Sequence, residues 1–483
     1  MPRLPGIVTL CAGLVALPAC NRSEEGGDAP DKPTAAPETK EAKAAAPDKH
    51  GPPPEPAVPF VRDDYAGALA QAKAEGKALF VDGWAPWCHT CLSMHHHVFT
   101  DPSLRPLAER VVFASVDTDK PENAAFGEAF RMAMWPTLFV IDPADERVVA
   151  FWPGAASATE LVSFLGDALT TLDKLHADGV DEASLEGRLL KARGEQAKGA
   201  AREAAATYGS IVEEAAADWP HRDEALLGWI QSLKAGRRIK ECVEVGTKYA
   251  DQITGVARPV DFARYLASCA DEIPGLKNQR EARAVAIERL KALTERPDPA
   301  ASVDDRADAL EGLARALERQ GARAASRAAD EERLRMMEEA AAAASSPEVA
   351  ATYDYGRANA YVALHRAPEA IAMLQQRERE LPESYEPPAR LADVYMKVQR
   401  WPEALSAIDR ALARAYGPRR LRYLSMKAEI LGEMNDRAAQ IETLREEVLG
   451  RKELVRGDAN RGPYEEAKER LQRAQLAAKA PPP

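Results

Sequence analysis

The sequence has few aromatic residues and no excess of positive charge. Phenylalanine, tryptophan and tyrosine make up 6% of its 483 residues, and 76 acidic side chains against 64 lysines and arginines give a net charge of −12. Binding to nucleic acid requires clustered positive charge that neutralises phosphates, so this balance argues against a nucleic-acid partner. The second half is dominated by alanine, glutamate, leucine and arginine, which favours helices there. A chain of this length is expected to form two or three domains.

Long hydrophobic runs are also missing, and the one short run lies at the N-terminus. Arg3 precedes an apolar stretch over residues 4–17, and Leu-Pro-Ala-Cys follows at residues 17–20. This resembles a bacterial lipobox, with a signal peptide over 1–19 and a lipid on Cys20. The stretch is too short to span a membrane. The resemblance implies a protein of the bacterial cell envelope that is lipid-anchored and faces the periplasm, and Asn21 favours the outer membrane.

Cysteine is scarce, and its six occurrences fall into three groups. Cys11 lies within the expected signal peptide, Cys20 is the expected lipidation site, and the other four form the pairs Cys88/Cys91 and Cys242/Cys269. The second pair is separated by 27 positions in helical sequence, a spacing that antiparallel neighbouring helices would bring together. In an oxidising compartment the two would form a structural disulfide, and two independent buried thiols are the alternative.

The clearest chemical motif is the run APWCHTC at residues 85–91, directly after a strand-like stretch. At a helix start, unpaired N–H groups and the helix dipole favour the thiolate of Cys88, and Cys91 lies one turn further along within disulfide reach. The pair therefore indicates thiol–disulfide exchange. Half of a zinc site and two inert cysteines are the alternatives. A zinc site would need two further ligands, and the sequence has no second C-x-x-C pair.

Alternating strand and helix patterns surround this motif. Strands are predicted at 78–84, 111–116, 137–141 and 147–152, and helices at 64–73, 88–99, 122–130 and 158–172, with Asp63 as the cap of the first helix. The order helix, strand, helix, strand, helix, strand, strand, helix predicts a mixed sheet flanked by helices.

These elements resemble the thioredoxin fold over residues 59–174. Three features carry the resemblance: Trp87-Cys88-x-x-Cys91 after the first core strand, Asp82 within that strand, and the Trp-Pro-Thr motif at 135–137 before the next hairpin. The Phe-Thr-Asp-Pro segment at 99–102 is similar to the C-terminal periplasmic domain of DsbD-type thiol:disulfide interchange proteins.

The resemblance implies roles for three residues. Cys88 is the expected nucleophile that forms a mixed disulfide with the substrate, and Cys91 then resolves it. Asp82 corresponds to a buried carboxylate that accepts a proton near the second cysteine. An aspartate at a strand end that faces water is the alternative. The lysine that often pairs with this carboxylate in the family is not evident, because Ser115 falls near its place.

Four residues are predicted to contact substrate: Trp87, His89, Trp135 and Pro136. Pro136 matches the cis-proline of the family, which would place the backbone of Trp135 beside Cys88, where an extended peptide can pair with it. The Trp135 ring would line this groove or pack in the core. His89, if protonated, would stabilise the thiolate, and a solvent-exposed residue with no kinetic role is the alternative.

Three histidines follow the cysteine pair at 95–97. On a helix, Cys91 and His95 are four residues apart and face the same way, so a copper site of Cys88, Cys91 and His95 is geometrically allowed. A helix whose Met94 and Val98 point inward, with histidines on its flank, explains the same pattern. We therefore predict no metal site and no cofactor beyond the redox-active disulfide.

A repeat of 34 residues is visible in the helical C-terminal part. Positions that match at this interval are Ala370, Ala404 and Ala438, Tyr361 and Tyr395, and Ala358, Ala392 and Met426. The Pro-Glu-Ala motifs at 368–370 and 402–404 would open the second helix of successive units, where proline is tolerated. This resembles three tetratricopeptide repeats over 349–450, of which the third is the weakest because Glu429 and Glu442 replace the expected residues.

The predicted fold class is therefore an α/β thioredoxin fold followed by an all-α, tetratricopeptide-like helical-repeat solenoid. The predicted segments are a signal peptide (1–19), a disordered tether rich in proline, alanine, lysine and glutamate (20–58), the thioredoxin-like domain (59–174), unphased helical repeats (175–348), tetratricopeptide-like repeats (349–450) and a charged helical tail with a proline-rich end (451–483).

The function that this organisation predicts is a membrane-tethered thiol–disulfide oxidoreductase of the reductase type. Its expected partners are protein disulfides, an upstream thiol that donates electrons, a protein or peptide docked on the repeats, and a membrane through the lipid. A repeat-based scaffold with an accessory redox domain is the alternative from another class, and a copper-handling protein is a third.

Overall fold

The computed structural model describes residues 54–177, 179–455 and 461–479. Its first part, residues 57–177, is called the sheet domain here. The elements of the sheet domain are β1 Phe60–Arg62, α1 Tyr65–Glu75, β2 Ala78–Trp84, α2 His89–Ser93, β3 Val111–Asp117, α3 Ala124–Ala129, β4 Thr137–Asp142, β5 Arg147–Pro153 and α4 Ala158–Ala177. The strands form one sheet in the order β1-β3-β2-β4-β5. β1, β2 and β3 run parallel, and β4 and β5 are antiparallel to their neighbours.

The central strand β2 explains why the sheet forms where it does. Its side chains alternate between two hydrophobic clusters, so Phe80 packs on one face of the sheet and Leu79 and Val81 pack on the other. A strand that is buried on both faces appears in sequence as a continuous apolar run, as β2 does. Its end at Trp84 leads directly into the cysteine motif.

The start of the sheet domain differs from the prediction. β1 was not predicted, because three residues are too short for a periodic pattern. The cap of α1 is Asp64, whose carboxylate accepts a hydrogen bond from the Gly67 N–H at 2.8 Å. Asp63 instead has a positive φ of 55° and binds Lys120 at 2.6 Å, so it joins two loops. Val58, assigned to the tether, is buried in the core, so the folded part begins before residue 59.

The predicted helix over 88–99 consists of two pieces. α2 ends at Ser93, and residues Met94–Val98 form a π-helical turn. Met94 and Val98 are buried in the core, as the helical pattern predicted, whereas of the three histidines only His97 is exposed and His95 and His96 are half-buried. A π-helical turn inserts one residue per turn and reorients the side chains that follow.

The second part of the chain, residues 185–455 and 461–479, is called the helical array. Its helices are α5 Leu185–Ala197, α6 Ala201–Glu214, α7 Arg222–Ala235, α8 Ile239–Tyr249, α9 Arg258–Glu272, α10 Leu276–Glu295, α11 Val303–Gln320, α12 Arg323–Ala342, α13 Pro347–Ala351, α14 Asp354–Ala363, α15 Ala367–Glu380, α16 Glu386–Lys397, α17 Trp401–Leu412, α18 Gly417–Glu433, α19 Arg437–Glu453 and α20 Arg461–Lys479. Within the described residues, no helix combines the length and hydrophobicity that a membrane span requires.

The 34-residue spacing corresponds to pairs of packed helices. α15 begins at Ala367 and α17 at Trp401, each with proline at its second position. Ala370 and Ala404 are fully buried, because the helices of a pair approach closely at these small residues. The corresponding residue of the third unit, Ala438, is exposed, so the 34-residue pattern of buried small residues does not extend to that unit.

The sheet domain and the helical array share a buried junction at β5. Arg193 of α5 forms two hydrogen bonds with Glu224 of α7, at 2.6 and 2.7 Å, and donates a third to the backbone oxygen of Val149 at 2.8 Å. Ala197 of the same helix is part of the hydrophobic cluster on one face of the sheet. The first array helix therefore completes the core of the sheet domain.

Candidate redox site

The two cysteines of the C-x-x-C motif lie at the start of α2, shortly after the end of β2. Cys88 caps α2, and Cys91 lies in its first turn. The two sulfurs form a disulfide with a Cα–Cα distance of 5.2 Å, and the backbone N–H of Cys91 points at the Cys88 sulfur at 3.0 Å. Cys91 is fully buried and Cys88 is 5% exposed. When the pair is reduced, that N–H and the helix dipole favour the thiolate on Cys88.

The Trp135–Pro136 bond is cis and lies next to the cysteine pair. Thr137, at the start of β4, pairs with Gly83 near the end of β2, so residues 135–136 lie beside the segment that leads to Cys88. The Trp135 indole donates a hydrogen bond to the Thr118 hydroxyl at 2.8 Å. Its ring lies 5.2 Å from that of Trp87, and it lines the same cavity as Cys88. The Trp135 side chain therefore lines a cavity, and its contact with substrate stays a prediction.

Asp82 is fully buried and does not face water. One of its carboxylate oxygens lies 2.7 Å from the His95 ring nitrogen Nε2 and accepts a hydrogen bond from the Ser115 hydroxyl at 3.2 Å. The other oxygen has no hydrogen-bond partner among the described residues. A buried oxygen with no partner can accept a proton, as Asp82 was predicted to do for Cys91.

His95 is the residue that the sequence argument missed. The sequence pointed to Ser115 near the place of the absent lysine, and His95 was considered only as a metal ligand. In the structure the π-helical turn brings His95 onto Asp82, and its ring packs 4.5 Å from Trp84. The copper hypothesis used His95 as a ligand, whereas its Nε2 here lies 2.7 Å from Asp82. Across the part of the chain that the structure describes, no group of three or more His, Cys, Asp or Glu side chains is placed to hold a metal ion.

His89 is not a solvent-exposed residue. Its Nδ1 lies 3.0 Å from Asp304 of α11, and its ring stacks on Tyr355 of α14 at 5.2 Å. Burial opposes protonation of His89, but the carboxylates of Asp304 and Asp308 outweigh that effect and raise its pKa to about 9. The residue next to the nucleophile therefore carries a positive charge at neutral pH, held there by the helical array.

The redox face comprises Trp87, Cys88, His89, Thr90 and the Trp135–Pro136 pair, and the helical array covers it. The Trp87 indole donates to Asp119 at 2.7 Å, and the Arg419 guanidinium lies 4.5 Å from the centre of the Trp87 ring. Burial raises the pKa of Asp119 to about 6, although the hydrogen bond from Trp87 opposes that shift.

α18 approaches the loop after β3 very closely. The Tyr416 hydroxyl donates to Asp117 at 2.5 Å. Gly417, with a positive φ of 54°, lies so near Asp119 that a Cβ at this position would meet the Asp119 carbonyl oxygen at 1.7 Å. Only glycine provides both this conformation and this clearance. The sequence did not indicate the contact, because the two residues are far apart in the chain.

A family model for thioredoxin-like domains matches residues 65–169, the segment that contains both redox cysteines, Asp82, His95 and Pro136. This segment is a thioredoxin-like domain. The match indicates that Cys88 and Cys91 form the thiol–disulfide pair of such a domain.

Two curated proteins are similar to this thioredoxin-like domain. The thiol:disulfide interchange protein DsbD of Pseudoalteromonas atlantica is 31% identical over 110 residues, which are 21% of this chain and 19% of that protein. Protein disulfide-isomerase 1 of Dictyostelium discoideum is 30% identical over 97 residues, 20% of this chain and 26% of that protein. The chain thus spans about a fifth to a quarter of the length of these relatives.

Solved structures similar to the chain are helical-repeat proteins at low identity. A tetratricopeptide repeat protein from Parabacteroides merdae is 13% identical with a TM-score of 0.39 and covers 60% of this chain and 98% of its own. The assembly chaperone Acl4 of RpL4 is 15% identical with a TM-score of 0.30, covering 62% of this chain and 100% of its own. The predicted fold class, a thioredoxin-like α/β domain followed by an all-α helical-repeat array, is confirmed by the family match and by the helix pairs themselves.

Two predicted features lie away from the thioredoxin-like domain. Cys242 of α8 and Cys269 of α9 form a disulfide with a Cα–Cα distance of 6.2 Å, within the hydrophobic core of the array. The predicted signal peptide, the lipidation site Cys20 and most of the tether lie outside the described residues.

Proposed function

We propose that this protein is a thiol–disulfide oxidoreductase that reduces disulfides in extended segments of partner proteins. The observation that carries the proposal is the Cys88–Cys91 disulfide, which lies at a helix start beside cis-Pro136 in a thioredoxin-like domain. Similarity to a thiol:disulfide interchange protein supports the exchange reaction. The helical array forms the opposite wall of the site, so its role is to shape access to Cys88.

The reaction proceeds in two displacements at sulfur. The Cys88 thiolate attacks one sulfur of the substrate disulfide, whose S–S bond breaks as the mixed disulfide forms, and the released sulfur takes a proton. The Cys91 thiolate then attacks the Cys88 sulfur and expels the second substrate thiolate. Two electrons pass from the dithiol to the substrate, and an upstream thiol donor restores the reduced pair.

The second displacement requires Cys91 to lose its proton inside the protein. Asp82 is the proposed acceptor, because it is buried at the end of β2 and has one oxygen without a partner among the described residues. The Asp82–His95 contact at 2.7 Å provides a route for that proton, since the His95 side chain is 16% exposed. An imidazole can accept a proton on one ring nitrogen and release one from the other, so His95 can relay the proton to solvent.

The redox potential of the Cys88–Cys91 pair in the full chain tests this proposal. The protein is equilibrated in glutathione or dithiothreitol buffers and alkylated, and the Cys88 peptide is quantified by mass spectrometry. The Cys88 peptide is quantified separately, because the cysteines of the Cys242–Cys269 disulfide would also contribute to a total thiol count. A potential near or below about −230 mV supports a reductase, and one near about −120 mV would make the protein an oxidant. A pair that does not cycle would refute the enzymatic function.

We further propose that the protein resides in the bacterial cell envelope, anchored by a lipid on Cys20 and facing the periplasm. The lipobox-like sequence supports this location, as does the Cys242–Cys269 disulfide, since disulfides of this kind persist in oxidising compartments. Cells that express the protein are labelled with a radioactive fatty acid. Label on the wild type and none on Cys20→Ser is the expected result, and an unlabelled wild type contradicts the proposal.

A further inference from the structure

A cavity of about 500 Å³ opens beside Cys88, between the thioredoxin-like domain and the helical array. Trp87, Cys88, His89, Thr90 and Trp135 form one wall. The opposite wall consists of residues from α14, α16 and α18. A substrate disulfide that reaches Cys88 from this side must therefore contact the array before or while it reacts.

The wall formed by the array carries more positive than negative charge. Its ionisable side chains are the four cations Arg390, Lys397, Arg419 and Arg422 and the two carboxylates Glu386 and Asp393. In a chain with 76 acidic and 64 basic residues overall, a local excess of cations is the reverse of the average surface. Such an excess attracts acidic groups, most strongly at low ionic strength.

Both carboxylates of this wall are already engaged. Glu386 accepts a hydrogen bond from the Tyr423 hydroxyl at 2.6 Å, pairs with Arg390 at 3.2 Å and lies 3.8 Å from Arg419. Asp393 pairs with Lys397 at 2.7 Å. These contacts neutralise two of the four cations and leave neither carboxylate to repel an acidic ligand.

Arg422 supplies the surplus charge. It is exposed, and no carboxylate among the described residues lies within 4 Å of its guanidinium. Arg419 lies on the same helix, one turn earlier, and its guanidinium faces the Trp87 ring at 4.5 Å. Arg419 therefore links the array to the residue before the nucleophile while Glu386 lies 3.8 Å from its guanidinium, and Arg422 is the cation of this wall that lacks a carboxylate partner among the described residues.

The wall formed by the thioredoxin-like domain offers apolar contact. The charge of His89 is matched by Asp304 at 3.0 Å and Asp308 at 3.9 Å. This residue therefore contributes its ring, which stacks on Tyr355, a residue that is 40% exposed at the cavity. The Trp87 and Trp135 rings lie 5.2 Å apart beside it. Aromatic rings next to cations suit a peptide segment that combines apolar and acidic side chains.

We propose that this cavity selects disulfide-bearing peptide segments with acidic residues next to the reacting cysteine. This inference rests on the proposed function and names its substrate class. The acidic side chains pair with Arg422 and with the other cations of the array, while the backbone beside the cysteine lies along Trp135. The array is thus the specificity-determining half of the redox site.

Two synthetic peptides test the inference with the full chain. Each contains one cysteine in a disulfide with a neutral thiopyridyl group, flanked by three glutamates in one peptide and three lysines in the other. The reduced Cys88–Cys91 pair donates two electrons to the peptide–pyridyl disulfide and releases the peptide thiol and coloured thiopyridone, and dithiothreitol restores the pair. The rate of colour formation, corrected for the reaction without protein, gives kcat/KM for each peptide.

The acidic peptide is expected to react about five- to tenfold faster at low salt, a factor typical of one or two partly exposed ion pairs. Arg422→Glu should abolish or reverse this preference, mainly through KM, and high salt should reduce it. Arg379→Glu is the matched control, because Arg379 is exposed on α15 and does not line the cavity. It should leave the preference unchanged.

The remaining outcomes separate this inference from the proposed function. Equal rates for the two peptides, or a preference that survives Arg422→Glu, would overturn acidic selection while the oxidoreductase function stands. Failure to reduce either peptide above the rate without protein would refute the oxidoreductase function itself.

Discussion

At the scale of single residues, the chemistry depends on two carboxylate–histidine contacts, one between residues 13 positions apart and one between residues 215 positions apart. Asp82 contacts His95, and His89 contacts Asp304. In both pairs a carboxylate that is itself buried meets an imidazole close to the cysteine motif. Because a buried charge is costly without a partner, each member holds the other in place. His89, inside the cysteine motif, and His95, four residues after it, are thus each paired with a buried carboxylate.

The pKa of His89 provides a direct prediction. Burial lowers this pKa, but Asp304 and Asp308 raise it to about 9, with Glu311 adding to their effect. Asp304→Asn should move the pKa of His89 down towards its ordinary value near 6.5, as measured by NMR titration of the imidazole. Asp251→Asn, at an exposed site, is the control and should change nothing. A titration of His89 that is the same in wild type and Asp304→Asn would contradict the ion pair.

The same pair makes stability depend on pH with a defined sign. The folded-state pKa of His89 is raised above the value of an unfolded histidine, so the folded protein binds this proton more tightly. The stabilisation is fully present below about pH 6.5 and is lost as pH rises through about 9. The wild type should therefore lose more stability than Asp304→Asn between these two values.

At the scale of elements, α5 packs against both the sheet and the neighbouring helices of the array. Its Arg193 is almost fully buried and binds both the β5 backbone and Glu224. Its Ala197 packs in the core of the thioredoxin-like domain. A fragment that stops at the sequence-predicted boundary, residue 174, would lack these contacts and would leave part of that core exposed.

Removal of Arg193 should therefore destabilise the whole folded unit. Arg193→Ala removes both guanidinium hydrogen bonds from Glu224, whose side chain is 12% exposed and keeps only the longer contact with His221 at 3.8 Å among its ion pairs in the described residues. Loss of one member of a largely buried ion pair typically costs about 3–5 kcal/mol. Chemical denaturation measures the change in the free energy of unfolding. Arg327→Ala, which breaks an exposed pair with Glu331, is the control and should cost less than about 1 kcal/mol. Similar costs for the two variants would show that α5 does not anchor the sheet.

At the scale of the whole molecule, the helical array and the thioredoxin-like domain form one site. α11, α14, α16 and α18 all place residues against the redox face or its cavity. The sequence predicted that the repeats dock a protein or peptide partner, and this stays a prediction. Part of their surface contacts the redox face of the same chain, so access to Cys88 also depends on this internal packing.

Gly417 offers a way to disturb that packing. An added Cβ would collide with the Asp119 carbonyl oxygen, so Gly417→Ala should push α18 away from the loop after β3. Reduced Cys88 should then react faster with a bulky maleimide, measured on the Cys88 peptide, while its reaction with a small alkylating reagent changes little. Gly321→Ala is the matched control, because Gly321 also has a positive φ but has no atom within 4 Å of its Cβ position. Equal bulky-reagent rates in both variants would mean that α18 does not restrict access.

The sequence by itself determined the local features of this protein. Four features could be predicted from the sequence, because each depends on neighbouring residues or on the period of a single element. They are the C-x-x-C pair, the buried run of β2, the Trp135–Pro136 motif and the 34-residue helix pairs. The sequence did not predict the short strand β1, the cap at Asp64 or the π-helical turn. Each of these features depends on a difference of one or a few residues, which a periodic pattern does not resolve.

Only the tertiary structure decided which residues surround the redox pair. His89 and Asp304 are 215 positions apart, and Tyr416 and Asp117 are 299 apart. No periodic pattern links such residues, because their contact depends on how the helices of the array curve back onto the thioredoxin-like domain. The sequence could therefore predict that the chain carries redox cysteines, while packing alone placed a charged helical wall against them.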